Sequence, residues 1–156
     1  APVKKARLDW IIEKATELGV ARLQPVITER TIVERVKSER IEAQIIEACE
    51  QCGRTALPEL APPVKLPQLL KDWPATRALL FADEAGGVPL AGVAAPAPAA
   101  ILTGPEGGFT DRERDMLLAH AAVRRIALGP RILRAETAAI AAVSLWMAQH
   151  GDWAGG

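Results

Sequence analysis

Two glycine-bearing loops near the C-terminus carry most of the groups in this chain that could do chemistry. They are Leu102-Thr103-Gly104-Pro105-Glu106-Gly107-Gly108-Phe109 and Leu128-Gly129-Pro130-Arg131-Ile132-Leu133-Arg134-Ala135-Glu136-Thr137. Each follows a short apolar run and precedes a helical pattern. Glycine lets backbone approach a ligand closely, and the arginines and carboxylates place charge beside that backbone. A loop between a strand and a capped helix is where α/β sheets hold ligands. The first loop lacks the Lys-Ser/Thr of a phosphate loop and fails G-x-G-x-x-G, which disfavours ATP or GTP hydrolysis. As a lone motif it would be an ordinary turn with a helix cap.

The remaining reactive residues offer little. Cys49 and Cys52 form a C-x-x-C at the end of a helical pattern, where the dipole does not favour a thiolate. Zinc needs about four ligands, and only His120 and His150 remain to join them, so no metal is expected. Ser38 and Ser144 are the only serines, and neither lies in a nucleophile elbow.

A chain of 156 residues suffices for one domain with a proper core. Its 49% hydrophobic and 24% charged content is that of an ordinary globular protein. No run approaches the roughly 18 apolar residues of a membrane helix. Ala1-Pro2-Val3-Lys4-Lys5 shows no apolar h-region of a secretory signal. Two cysteines exclude a disulfide framework and point to a reducing compartment, expected to be the cytoplasm. The net charge is zero, but residues 1–40 hold nine basic and six acidic side chains. The last four arginines, Arg124, Arg125, Arg131 and Arg134, cluster in sequence. These two basic regions would face one polyanion if the fold joins them; otherwise they are mixed surface charge.

The elements that must position these loops alternate between helix and strand, which argues for an α/β fold with a mainly parallel sheet. Leu8, Ile11, Ile12, Ala15 and Leu18 recur at helical spacing, with Gly19 as the stop. Residues 23–27 suit a strand. Ser38 can cap a second helix bearing Ile41, Ile45, Ala48, Cys49 and Cys52 on one face, ended by Gly53. A short helix is expected over 67–73, strands over 78–82, 99–103 and 123–128, and a loop over 83–99. Thr110 and Glu113 have capping-box spacing and open a helix to about His120. A final helix runs from about Ala135 to Gln149; from Ala138 to Ala148 its only polar side chain is Ser144. A helix apolar all round must be buried all round, either inside one subunit or against a second.

With the two loops, Trp10-Ile-Ile-Glu-Lys-Ala-Thr-Glu-Leu-Gly19 and Glu47-Ala-Cys-Glu-Gln-Cys-Gly-Arg54 make four segments that resemble the ribosomal RNA small subunit methyltransferase E family, of the knotted SPOUT class. The likeness covers essentially the whole chain. It implies an α/β domain with helices on both sheet faces and a C-terminal deep trefoil knot. It implies S-adenosyl-L-methionine bound in the knot, and a homodimer formed through the C-terminal helix and knot. The implied reaction is methylation of N3 of a uridine in 16S ribosomal RNA near the decoding region. The family also carries an N-terminal PUA-like RNA-binding barrel, and the resemblance implies that residues 1–156 are the SPOUT domain without it. A non-catalytic RNA-binding or dimerisation module of the same fold is the alternative.

By that resemblance the cofactor is expected against Phe81, Leu102, Thr103, Gly104, Gly107, Gly108, Leu128, Gly129, Ile132, Leu133 and Thr137. Methylating N3 requires removal of its proton or stabilisation of the resulting anion. Arg134, with Arg131, is expected to stabilise the uridinate or hold its phosphate. Glu106 or Glu136 would act as base or orient an arginine, although Glu136 also suits a helix first turn simply by its charge. Arg7, Lys14 and Arg54 are the expected RNA contacts, Arg7 and Lys14 being seven apart and on one helix face.

Overall fold

The computed structural model describes residues 5–31 and 37–155. The chain runs α1 (Lys5–Glu17), β1 (Arg22–Leu23), β2 (Val26–Ile27), α2 (Ser38–Cys52), β3 (Glu59–Leu60), β4 (Val64–Lys65), α3 (Leu66–Asp72) and β5 (Leu79–Ala82). It continues through β6 (Val88–Pro89), a 3-10 turn (Leu90–Gly92), β7 (Ala100–Leu102), α4 (Asp111–Ala119), β8 (Val123–Ala127) and α5 (Ala135–His150).

Four strands form the main sheet in the order β6-β8-β5-β7, and every pairing is parallel. Side chains alternate across β5. Leu79 and Phe81 enter a core with Leu66 and Leu70 of α3 and Leu117 of α4. Leu80 enters the opposite core with Ile126, Leu90, and Ala142 and Trp146 of α5. Helices therefore cover both faces, as a parallel sheet requires. A third cluster joins Ile12 of α1 to Ile41, Ile45 and Cys49 of α2. Arg40 of α2 also pairs with Asp9 of α1.

Local signals explain most helix ends. Gly19 and Gly53 take positive φ, and Gly53 closes α2 by donating to the Cys49 carbonyl. The capping box of α4 is present: Glu113 N donates to Thr110 Oγ1 at 3.3 Å, and Thr110 N donates to Glu113 Oε2 at 3.0 Å.

Four expectations need correction. Residues 23–27 are not one strand: Pro25 lacks the N–H a ladder needs, so β1 pairs with β3 and β2 separately with β4. Ser38 is not the cap of α2, because Lys37 holds that position and no side chain caps it. The 83–99 segment is not all loop, since Val88–Pro89 pairs with Ile126–Ala127. Two residues on a sheet edge, one a proline, leave no period to read. Finally, α5 is not buried all round within the chain. Only Ala142 and Trp146 are buried, Leu145 is 41% exposed, and Ala139, Ile140, Val143 and Met147 line an apolar cavity of about 450 Å³ shared with α1.

Candidate functional site

Topology brings the two glycine loops together. Strands β7 and β8 flank β5, with Phe81 registered against Leu102 on one side and Arg125 on the other. All three strands are parallel, so the segments after β5, β7 and β8 leave the sheet at the same end. This crevice at the carboxyl ends of the strands is where open α/β sheets bind ligands. It holds a pocket of about 290 Å³, close to the lower end for small-molecule sites.

Of the cofactor residues expected from sequence, Thr103, Gly104, Gly108, Leu128, Gly129, Ile132 and Leu133 line this pocket. Glu106, Arg131, Arg134 and Arg7 line it too, so α1 and the C-terminal arginine loop meet at one place. Four other residues stand apart. Phe81 and Leu102 are strand residues buried in the core, at 0% and 4% exposure. Phe81 touches the site through Phe109, whose ring packs edge-on against it at 5.2 Å and which does line the wall. Gly107 points away from the pocket, toward the stem of Arg30. Thr137 is exposed on the first turn of α5.

The glycines have distinct reasons. At Gly104 a Cβ would sit 3.0 Å from the Phe109 ring. Gly108 has φ +67° and Gly129 has φ +102°, both in the left-handed region that favours glycine.

Charge in and beside the pocket is arranged in two groups, Glu136 and Arg125 standing just outside its lining. Arg7 Nη1 donates to Glu106 Oε1 at 2.6 Å, and its Nε lies 3.5 Å from Glu136 Oε1, so one guanidinium straps both loops. Glu136 Oε2 is buried and has no hydrogen-bond partner among the described residues. The second group centres on Asp83, just past β5, whose side chain is 1% exposed. It binds Arg114 at 2.9 Å and Arg125 at 2.6 Å, and accepts from Ala85 N at 3.0 Å. Arg131 and Arg134 pair with no carboxylate among the described residues.

The other expected RNA contacts lie elsewhere. Lys14 is engaged by Glu13 at 2.7 Å and Glu17 at 3.0 Å, and the hydrogen bonds it donates to these two carboxylates push its ammonium above the usual lysine range. Arg54 Nη1 donates to the Thr16 and Val20 carbonyls at 2.6 and 3.1 Å, closing the end of α1. His120 is also structural: its Nδ1 accepts from Ala122 N at 3.2 Å, leaving Nε2 to donate to the Leu70 carbonyl at 3.0 Å.

Sequence reasoning missed Asp83, Glu84, Phe109 and Arg114 as lining residues. Asp83 and Glu84 had a usable signal, since they follow a buried strand at its carboxyl end. Arg114 had none, because only packing of α4 beside β8 brings it to Asp83.

A family model described as an RNA methyltransferase domain matches residues 1–147. The chain belongs to this family. Among similar relatives, a ribosomal RNA small subunit methyltransferase E from a Synechocystis strain is 37% identical over 149 residues, covering 90% of this chain and 49% of the relative. The solved structure of the corresponding Neisseria gonorrhoeae enzyme, bound to S-adenosyl methionine, superposes with TM-score 0.88 at 34% identity, covering 95% of this chain and 63% of that one. A Legionella pneumophila methyltransferase with the same bound cofactor gives TM-score 0.81 at 37% identity, covering 94% and 63%. The chain thus spans about half to two-thirds of the length of the relatives it matches. In this chain glycines, apolar walls and two arginines without acidic partners among the described residues converge in the carboxyl-end crevice.

Proposed function

We propose that this chain carries the methyl-transfer centre of a ribosomal RNA methyltransferase that uses S-adenosylmethionine to methylate N3 of a uridine in 16S ribosomal RNA near the decoding region. The observation that carries the reading is the pocket at the β5, β7 and β8 carboxyl ends, together with the family match. Two relatives of high structural similarity are described with S-adenosylmethionine bound, which supports that cofactor here.

The residues fit such a group. Leu128, Leu133 and Phe109 offer an apolar wall for a flat ring, and Gly104, Gly108 and Gly129 leave backbone open to polar contacts. Glu84 and Glu106 give the pocket carboxylates suited to a cationic ligand. When bound, the cofactor supplies an electrophilic methyl group on a sulfonium. The chain must hold the acceptor in line with it and manage the N3 proton. Arg134 and Arg131, without acidic partners among the described residues, stabilise the uridinate or hold its phosphate. Of the two carboxylates Glu106 lines the pocket and is the one placed to accept the proton, through exchange of its Arg7 contact; Glu136 does not line the pocket and its Oε2 is buried. As the methyl group is transferred, a pocket carboxylate would take the N3 proton.

Assembly belongs to the same proposal. Strand β8 inserts between β5 and β6, both laid down earlier in the chain, which supports threading of the C-terminal segment into a trefoil knot. The half-covered apolar α5 supports a homodimer through that helix. Residues 1–156 read as the methyltransferase domain, with the PUA-like barrel not among them. The site of action is then the cytoplasm. Among the described residues no helix is long and apolar enough to cross a membrane.

The test is methyl transfer. Incubation with methyl-labelled cofactor and 16S ribosomal RNA is expected to give 3-methyluridine, with kcat lowered about 100-fold in Arg134→Ala. Saturable cofactor binding with no methyl transfer to RNA would favour the non-catalytic module instead.

A further inference from the structure

Residues 28–31, which follow β2, form a turn fastened both to α4 and to the first glycine loop. Thr28 N donates to Thr31 Oγ1 at 2.9 Å and closes the turn. Glu113, a carboxylate only 1% exposed, uses Oε2 for the α4 capping box and Oε1 to accept from Glu29 N at 2.8 Å. Burying a carboxylate is costly unless its oxygens are satisfied, so this bond to a residue 84 positions away fixes the turn firmly. Arg30 Nη1 then donates to the Gly107 carbonyl at 2.8 Å. The Arg30 stem lies along Gly107: a Cβ there would stand 3.4 Å from Arg30 Cβ and 3.5 Å from its Cδ. Gly107 neither lines the pocket nor has a positive φ. A methyl group there would meet the arginine stem at ordinary van der Waals distance, whereas a longer side chain would displace it.

Arg30 is exposed and pairs with no carboxylate among the described residues. One of its five N–H donors is used on Gly107, and the rest of the planar fork remains available. Its residue of attachment stands between Glu106 and Gly108, which both line the pocket. A preformed, charged, fork-shaped donor on the outside of the loop that walls a cleft suits a phosphate better than a base edge. It also loses little side-chain freedom on binding, because its stem is already ordered.

We infer that Arg30, held over Gly107 by the Glu113-anchored turn, is an RNA-backbone phosphate contact on the outer side of the first glycine loop, whose inner side walls the methyl-transfer pocket. The inference rests on the RNA-substrate reading above. Glu113 and Gly107 are positioning residues for it. Arg30 would thus hold the strand outside the first glycine loop, while Arg131 and Arg134 line the pocket itself.

The experiment is fluorescence anisotropy of a labelled single-stranded, uridine-containing RNA with the whole chain, repeated across a salt series. One phosphate contact to single-stranded nucleic acid contributes a log-log salt slope of about −0.7. Arg30→Ala should therefore flatten the slope by about 0.7 and weaken binding about fivefold at 0.1 M salt, converging with wild type near 1 M. The loss should be the same for RNAs of different sequence. Arg30→Lys should restore the slope but not the full affinity. Gly107→Leu, which displaces the arginine stem without removing the charge, should weaken RNA binding while keeping the slope near wild type. Cofactor affinity, titrated in parallel, should be unchanged in Arg30→Ala. Unchanged RNA affinity and slope in Arg30→Ala overturn the inference alone. A joint loss of RNA and cofactor affinity overturns it too, since the turn would then be merely structural. A wild-type chain that takes cofactor but no RNA overturns both the inference and the RNA-substrate reading.

Discussion

Replacing Asp83 with asparagine isolates the charge at the centre of the pocket wall. The amide keeps the size of the side chain and an oxygen able to accept from Ala85 N, which now donates to Asp83 Oδ1 at 3.0 Å. What disappears is the anion shared by Arg114 and Arg125 at 2.9 and 2.6 Å. Removing one member of a buried ion pair costs about 3–5 kcal/mol, because the remaining charge is stranded. Here the carboxylate side chain is 1% exposed, but the arginines are 27% and 37% exposed and can draw on water. The cost should therefore fall at the low end, about 3 kcal/mol. For a chain of this size that corresponds to a melting temperature lower by about 6–12 °C. Urea unfolding followed by circular dichroism measures it directly, with an unchanged m-value showing that only stability moved. Cofactor affinity should fall as well, since Arg114 lines the pocket and loses its anchor. A loss below about 1 kcal/mol would put the triad in the class of exposed ion pairs and refute the view that Asp83 organises this wall.

Gly104→Ala should lower both stability and cofactor affinity, since its Cβ would press within 3.0 Å of the Phe109 ring and push it off Phe81. Overpacking of this kind costs about 1–3 kcal/mol, and unfolding with parallel cofactor titration checks it; wild-type behaviour in both would contradict the packing. Arg54→Ala should cost about 1–3 kcal/mol in urea unfolding by stranding the Thr16 and Val20 carbonyls. Its RNA affinity, measured at equal folded fraction, should be unchanged, and a selective RNA defect would restore Arg54 as an RNA contact.

Much of the fold is written in local patterns. The period of Leu8, Ile12 and Ala15, the Gly19 and Gly53 stops and the Thr110–Glu113 box are short-range signals, and each corresponds to a feature of the structure. The site was legible in part because its glycine loops carry their own chemistry and follow apolar strands. What escaped depends on long-range pairing. Strand β6 exists only because β8 lies beside it, where Gly87 approaches Ile126 so closely that a Cβ would stand 2.8 Å from its carbonyl carbon. Asp83 and Arg114 meet across 31 positions, and Glu113 reaches Glu29 across 84, distances at which spacing carries no information. The loop assignment of Gly107 was sound as sequence, but which side of a loop a glycine faces is decided by what packs there. Likewise the basic tally of residues 1–40 did not distinguish Lys14, already paired with two glutamates, from Arg30, which pairs with no carboxylate among the described residues.

The central claim is that the crevice between the two glycine loops is a sulfonium-cofactor site. Calorimetric titration of the chain with S-adenosylmethionine, with ATP and NAD as controls, tests it most directly. Saturable heat with S-adenosylmethionine at about one cofactor per chain, weakened in Gly104→Ala and absent for both controls, is the predicted result. No saturable binding, or equal binding of ATP, would contradict it.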